Sequence, residues 1–239
     1  MSVEKRRIRQ AIYRHILPSG RVVQTRVQGH IMALDMRDAS TVAMWQDGFY
    51  EPETTKHLLE NVSRGQACLD IGANCGYFTL LMARAVGPQG QVVSFEPNQE
   101  ISRILRWNVK KNGYENVQVR NEAVSNKSGT AQFYRHPQWH GKSSFFLRES
   151  GSVVQQVNTV RIDELSLPHV DWVKIDIEGA ECIVLQGMQD TLKRSSNVHV
   201  VIEFEPDQDA FDGEALFHEL RGFRARRLDN NLLFWRREE

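Results

Sequence analysis

The chain has 239 residues, 41% of them hydrophobic and 25% charged, which suits one α/β domain with additions, or at most two small domains, with a packed core rather than a disordered chain. Thirty basic residues balance thirty acidic ones, so overall charge gives no attraction to nucleic acid or an acidic membrane. Cys68, Cys75 and Cys182 lack the even count and spacing of a disulfide framework or a zinc site, and a reducing, cytoplasmic setting fits them.

No run of about 18 apolar residues is present, so no membrane span is expected. The basic segment 1–17 lacks the apolar core of a signal peptide and reads as a helix ended by Pro18-Ser19-Gly20. Residues 21–27 and 30–36 read as two strands of a hairpin around Gly29. Pro52 opens a helix whose apolar face is Leu58, Leu59 and Val62. It leads directly into the next strand, which makes Tyr50 and Glu51 candidate contacts to a ligand at the strand end. These N-terminal parts, residues 1–63, are expected to join the core, residues 64–239, in a single domain.

Residues 67–71 form a short apolar run with the length and composition of a buried strand. After Gly76, the residues Phe78, Leu81, Met82 and Ala85 recur at helical spacing. The order is strand, glycine turn, helix. A dinucleotide fingerprint, G-x-G-x-x-G, needs glycine at positions 74 and 77, where Asn74 and Tyr77 stand. What is present is Asp70-x-Gly72-x-Asn74-x-Gly76. The acidic residue before the loop repels a pyrophosphate and suits cationic groups, such as the amino and sulfonium groups of S-adenosylmethionine. Asp70, Gly72, Asn74 and Gly76, with Tyr77 and Phe78 at the helix start, are therefore candidate cofactor contacts.

The next strand, residues 91–95, ends in Glu96-Pro97-Asn98. Glu96 falls about 20 residues beyond the glycine turn, the separation at which an acidic side chain reaches a ribose. Asn98 suits the N-cap of a helix carrying Ile101, Leu105 and Val109. A third strand, residues 117–120, leads to Asn121, Glu122 and Ala123, placed to read an adenine edge. Residues 130–135 and 153–161 alternate like an antiparallel insertion. The polar and aromatic stretch between them reads as a substrate loop, with His136, Trp139, His140 and Lys142 as candidate acceptor contacts. Residues 170–177 form a strand that brings Asp176 and Glu178 to its carboxyl end, and Gly179 opens a helix with Ile183, Val184 and Met188. Carboxylates converging there with Asp70 and Glu96 are costly without a ligand. A strand at 197–204, a helix at 211–220 and a terminal hairpin of 223–227 with 231–235 complete one doubly wound sheet.

The stretches GFYEPETT, LDIGANCGYFTL, VVSFEPN, NEAVS and WVKIDIEGAE, in that order, resemble the FkbM-type S-adenosylmethionine-dependent methyltransferases. The resemblance implies the class I methyltransferase fold, a Rossmann-like sheet of seven mostly parallel strands with an antiparallel terminal strand. It implies that Asp70, Gly72, Asn74 and Gly76 line the methionine end of the cofactor and that Glu96 holds the ribose. Asn121, Glu122 and Ala123 would adjoin adenine, with Pro97 alongside, and Asp176 would adjoin the methyl-transfer centre. The family methylates mainly hydroxyl groups, often on sugars or secondary metabolites. The expected function is O-methylation of a small-molecule or saccharide acceptor. Asp176, Glu178, His136 and His140 are the candidates for a base, and no metal is expected; the alternative is a cation held by Asp176 with Glu203 or Glu205. N-methylation of a small molecule and cofactor binding without catalysis remain as other readings. The missing third glycine opposes a nicotinamide oxidoreductase. Nucleic acid is not an expected partner, because DIEG stands where base methylation would need N-P-P-[YFW]. A homodimer stays open.

Overall fold

The computed structural model describes residues 22–136, 152–203 and 213–236. The expected helix 1–17, the acceptor-loop residues Trp139, His140 and Lys142, and Glu205 lie outside them. The chain enters as an antiparallel hairpin, β1 (Val22–Val27) and β2 (His30–Asp35), turned at Gln28 and Gly29. Helix α1 (Ala39–Asp47) follows, capped by the Asp38 carboxylate, which accepts from the Ser40 N–H. In α2 (Pro52–Asn61) the buried residues are Thr54, Thr55, His57 and Leu58. Leu59, expected on the apolar face, is 43% exposed; it lies a full step around the helix from the Thr54–Leu58 stripe.

The central stretch folds as expected into β3 (Ala67–Ile71) and α3 (Tyr77–Val86). It is followed by β4 (Gln91–Phe95) and by α4 (Gln99–Lys111), capped by Asn98. Next come β5 (Val117–Arg120), a short β6 (Ala123–Val124), β7 (Gly129–Arg135) and β8 (Val153–Val160). The last three form a separate sheet in which β7 and β8 pair antiparallel and β6 adds parallel to β8. After β9 (Trp172–Ile175), the single expected helix is two, α5 (Glu181–Gln186) and α6 (Gln189–Arg194). The break is at Gly187, where a Cβ would lie 2.2 Å from the Ser125 carbonyl oxygen. The chain ends in β10 (Val198–Glu203), α7 (Gly213–Glu219), β11 (Arg224–Leu228) and β12 (Asn231–Arg236).

Seven strands make the main sheet, in the order β11-β12-β10-β9-β3-β4-β5. β10, β9, β3, β4 and β5 run parallel, and β12 runs antiparallel to both its neighbours. Alternate residues of the buried strands go to opposite cores. Trp172 packs on one side with Leu34, Leu58 and Leu81, and Val173 and Ile175 pack on the other with Val184 and Met188. Both faces are covered, as a parallel sheet requires. From β3 the chain first runs outward through β4 and β5, then returns to the other side of β3 as β9. The carboxyl ends of β3 and β9 therefore flank the topological switch point, where open α/β sheets bind ligands.

The hairpin is fastened to this core by two side-chain amides, Asn108 in α4 and Asn112 at its C-cap. Asn108 pairs with the Ala33 N–H and carbonyl and also donates to the Cys75 carbonyl at 2.7 Å, so one side chain ties β2 to the glycine turn. Asn112 makes the equivalent pair of bonds to Ile31.

Candidate active site

The turn after β3 is built from alternate residues at positive φ: Gly72 at 81°, Asn74 at 48° and Gly76 at 93°. Glycine is obligatory at the first and last. A Cβ on Gly72 would lie 1.9 Å from the Asp176 carbonyl oxygen, and one on Gly76 2.3 Å from Leu105 Cδ1. The Gly72 contact is what lets β3 and the end of β9 come together. Asn74 in the left-handed region turns its N–H toward Glu96 Oε2 at 2.9 Å. The other oxygen of Glu96 accepts from the Asn98 N–H at 2.8 Å. Glu96 is 8% exposed, and burial pushes its pKa up to about 7, with Asp70 and Asp176 adding to the rise. Each of its oxygens retains a lone pair. The Asn121 amide is bound to the carbonyls of Glu96 and Pro97, at 2.7 and 3.0 Å, and so fixes the loop after β4. Glu122 pairs with Arg120 at 2.5 Å. Ala123 is buried in β6, opposite Thr159.

Asp70 is 2% exposed and accepts from Thr79 Oγ1 at 2.5 Å, tying β3 to α3. Burial raises its pKa to about 6. One strand over, at the same level, stands Lys174, fully buried in β9. Its ammonium donates to Asp176 Oδ2 at 3.2 Å and to Asn231 Oδ1 at 3.0 Å. It lies 3.7 Å from Glu51 Oε2 and 5.3 Å from the centre of the Phe78 ring. Burial works against its charge, but Asp176, Glu51 and Glu203 outweigh burial and raise its pKa. Asn231 donates to Glu51 Oε2 at 2.8 Å and to Thr54 Oγ1 at 3.1 Å. Burial raises Glu51 to about 7. Against the cost of its own burial, Lys174 and a hydrogen bond from Glu203 hold Asp176 below the usual carboxylate range. Burial and the Asp176 charge push Glu203 well above it, so Glu203 carries the proton of this pair.

Of the residues singled out from the sequence, Tyr50, Glu51, Asp70, Gly72, Asn74, Gly76, Tyr77, Phe78, Glu96 and Asp176 come together around the ends of β3, β4 and β9. Tyr50 meets the Tyr77 ring edge-on, with centroids 6.1 Å apart. Glu178 is half-buried two residues beyond Asp176, in the turn before α5. His136 directly follows β7, whose Arg135 pairs with Glu100 at the start of α4 at 2.8 Å. Lys174 and Asn231 were not foreseen. A lysine inside an apolar strand with acidic residues beyond it, KIDIE, is the signal that points to a paired buried charge.

Five acidic side chains, Glu51, Asp70, Glu96, Asp176 and the protonated Glu203, thus gather at the switch point, where among the described residues the Lys174 ammonium directly faces Glu51 and Asp176. The surplus fits a ligand carrying sulfonium and ammonium charges, and the free lone pairs of Glu96 fit vicinal hydroxyls. The methyltransferase FkbM domain matches residues 70–230. The chain belongs to the FkbM methyltransferase family. The methyl donor of the family is S-adenosylmethionine.

This FkbM chain is 24% identical over 199 residues to the hexuronic acid methyltransferase AglP of Haloferax volcanii, covering 82% of this chain and 79% of that protein. It is 24% identical to the methyltransferase sdnD of Sordaria araneosa, over 73% of this chain and 80% of the relative. It is 26% identical to Methyltransferase 1 of Beauveria bassiana, over 51% of this chain but 58% of the relative's length. In fold it resembles M. jannaschii TYW2 in complex with AdoMet, with a TM-score of 0.53 at 15% identity over 92% of this chain and 85% of that one. The T. thermophilus 16S rRNA methyltransferase RsmC also gives 0.53, at 16% identity over 93% and 52% of the two chains. These structural likenesses bear on the class I methyltransferase fold alone. No helix among the described residues is long and apolar enough to cross a membrane.

Proposed function

We propose that this protein transfers a methyl group from S-adenosylmethionine to a hydroxyl of a saccharide or secondary-metabolite acceptor. The observation that carries the reading is the ring of acidic side chains, Asp70, Glu96, Asp176 and Glu203 at the carboxyl ends of β3, β4, β9 and β10 and Glu51 before α2, with the Lys174 ammonium among them. The cofactor, when bound, supplies a methyl group already activated on sulfur. The protein's part is to hold, orient and take a proton. Glu96 accepts from the ribose hydroxyls, and Asp70, Gly72, Asn74 and Gly76 shape the methionine end. Asp176, kept ionised by Lys174 and a quarter exposed, accepts a hydrogen bond from the acceptor hydroxyl and sets its direction. Positioning of this kind is a large share of a displacement's rate. Support for a saccharide comes from the hexuronic acid methyltransferase relative. From the sequence alone, His136, Trp139, His140 and Lys142 supply the acceptor side, with His140 as a base candidate.

The test is release of S-adenosylhomocysteine with hexuronic acids, neutral sugars and phenols, with the site of methylation located by NMR. Asp176→Asn should lower kcat about 100-fold while leaving S-adenosylhomocysteine binding within threefold or so. Methylation on nitrogen, or none across the panel by a protein that binds the cofactor, would replace this reading by one of the alternatives.

A further inference from the structure

A cavity of about 580 Å³ lies at the opposite end of the same sheet face from Lys174. Trp172, His199 and Trp235 are neighbours across β9, β10 and β12, two residues toward the amino ends of β9 and β10 from the level of Lys174. All three line the cavity, with His57 and Asn61 of α2, Arg226 and Arg236. The size is that of a site for a small organic molecule.

The polar groups of this wall are short of acceptors. An Arg226 Nη2–H donates to His57 Nδ1 at 3.2 Å. A guanidinium cannot accept, so His57 Nδ1 is the acceptor and, in the neutral ring, the proton sits on Nε2. The ring is neutral: burial, with His199 and Arg226 nearby, lowers the His57 pKa to about 4. That Nε2–H is buried and has no partner among the described residues. The same is true of Trp172 Nε1–H, Arg236 Nε–H and the Nδ1 of His199. His57 is 8% exposed and Trp172 1%. The carboxylate of the lining, Asp171, is engaged by the Ala67 N–H at 2.8 Å and faces His169 at 3.5 Å. Arg226 and Arg236 have no carboxylate partner among the described residues; Arg236 donates to the carbonyls of Leu192 and Ser195. The walls are flat rings, with the imidazoles of His57 and His199 stacked 5.3 Å apart and Trp172 alongside.

We propose that this cavity is a second ligand site, for a small organic anion that presents carboxylate or phosphate oxygens to Arg226, Arg236 and the His57 and Trp172 N–H groups and lays a flat ring against the aromatic wall. The residues that carry the orphaned donors, His57, Trp172 and Arg236, all line the cavity. The proposal does not rest on the methyl-transfer reading, since none of these residues touches the carboxylate ring.

The probes are inorganic phosphate, benzoate and AMP, titrated into ¹⁵N-labelled protein while the Trp172 indole N–H signal is followed, with sodium chloride of equal ionic strength as control. At least one probe should shift that signal saturably below about 10 mM, an affinity readily resolved from bulk screening. A response to phosphate and AMP identifies a phosphate ligand; one to benzoate alone identifies a carboxylate. Arg226→Met removes a cation from an exposed strand. Asn197→Asp places a negative charge at the exposed rim of the cavity. Each should weaken probe binding about tenfold or more, with S-adenosylhomocysteine affinity unchanged. No saturable shift, an equal shift with chloride, or full affinity in both variants overturns the proposal.

Discussion

Lys174 is the single side chain on which the site's charge balance turns. With no exposed surface, it depends on Asp176, Glu51 and Asn231, and they on it. Lys174→Met should destabilise the protein by about 3–5 kcal/mol, the usual cost of stranding one side of a buried ion pair. The loss should be larger at pH 8 than at pH 5.5, because the stranded carboxylates escape part of the cost by taking up protons. Denaturant unfolding at the two pH values checks this; equal losses would mean that the carboxylates are neutralised by some other group. Glu96 answers for binding instead. Glu96→Ala should weaken S-adenosylhomocysteine binding about ten- to a hundredfold, from the loss of charge-assisted hydrogen bonds. It also frees the Asn74 and Asn98 N–H groups, so the melting temperature should be read beside the calorimetry. Unchanged affinity in the folded variant would remove Glu96 from the site. The carboxylates were legible because they end apolar runs. Lys174 was passed over because its partners Glu51 and Asn231 are remote in the chain, and no local pattern announces pairing across strands.

The elements that could be read from the sequence are those whose burial is simple. β3 and β4 are short, mostly apolar segments of strand length, and β5 alternates Val117 and Val119 with polar residues. Helix α1 is hard to read from the sequence because its buried residues, Thr41, Val42, Ala43 and Met44, are consecutive and leave no helical period; its local signs are the caps, Asp38 and the left-handed Gly48. The split between α5 and α6 depends on the approach of the Ser125 backbone to Gly187, which only the tertiary structure supplies. Helix α2 shows how a remote element finishes a local one. Its N-cap residue Glu51 has a left-handed backbone and makes no capping bond. Asp229, in the turn between β11 and β12, accepts from the Glu53 N–H at 2.7 Å and caps the helix from outside. Asp229→Ala should cost about 1 kcal/mol, as the loss of an ordinary cap does. It should also weaken cofactor binding severalfold if α2 holds Glu51 in place. A melting temperature within error of the parent protein would show that the bond contributes nothing.

At the scale of the whole molecule, the pH response has two opposed parts. Asp70, at about 6, and Glu51 and Glu96, at about 7, all lie above the value of near 4 that they take in the unfolded chain. Between pH 4 and 7 the folded protein holds protons that the unfolded chain releases. The contribution of these groups is complete below pH 4 and is lost as pH rises through 6 to 7. His30 and His57 run the other way. Burial lowers both to about 4, against 6.5 in the unfolded chain, so their contribution is present above pH 6.5 and lost as pH falls toward 4. In the free protein the two trends partly cancel, and the melting temperature alone discriminates poorly. The difference made by the cofactor does not suffer this cancellation, because both histidines lie away from the carboxylate ring. A cationic ligand favours the ionised carboxylates, so its binding releases protons and its affinity rises with pH until Glu51 and Glu96 have ionised. The rise in melting temperature produced by a fixed, saturating concentration of S-adenosylmethionine should therefore grow between pH 5.5 and pH 7.5 and level off above that. Calorimetry in buffers of different ionisation enthalpy should report proton release at pH 6.5 and almost none at pH 8.5. A stabilisation independent of pH across this range would show that the ring is not what meets the ligand's positive charge.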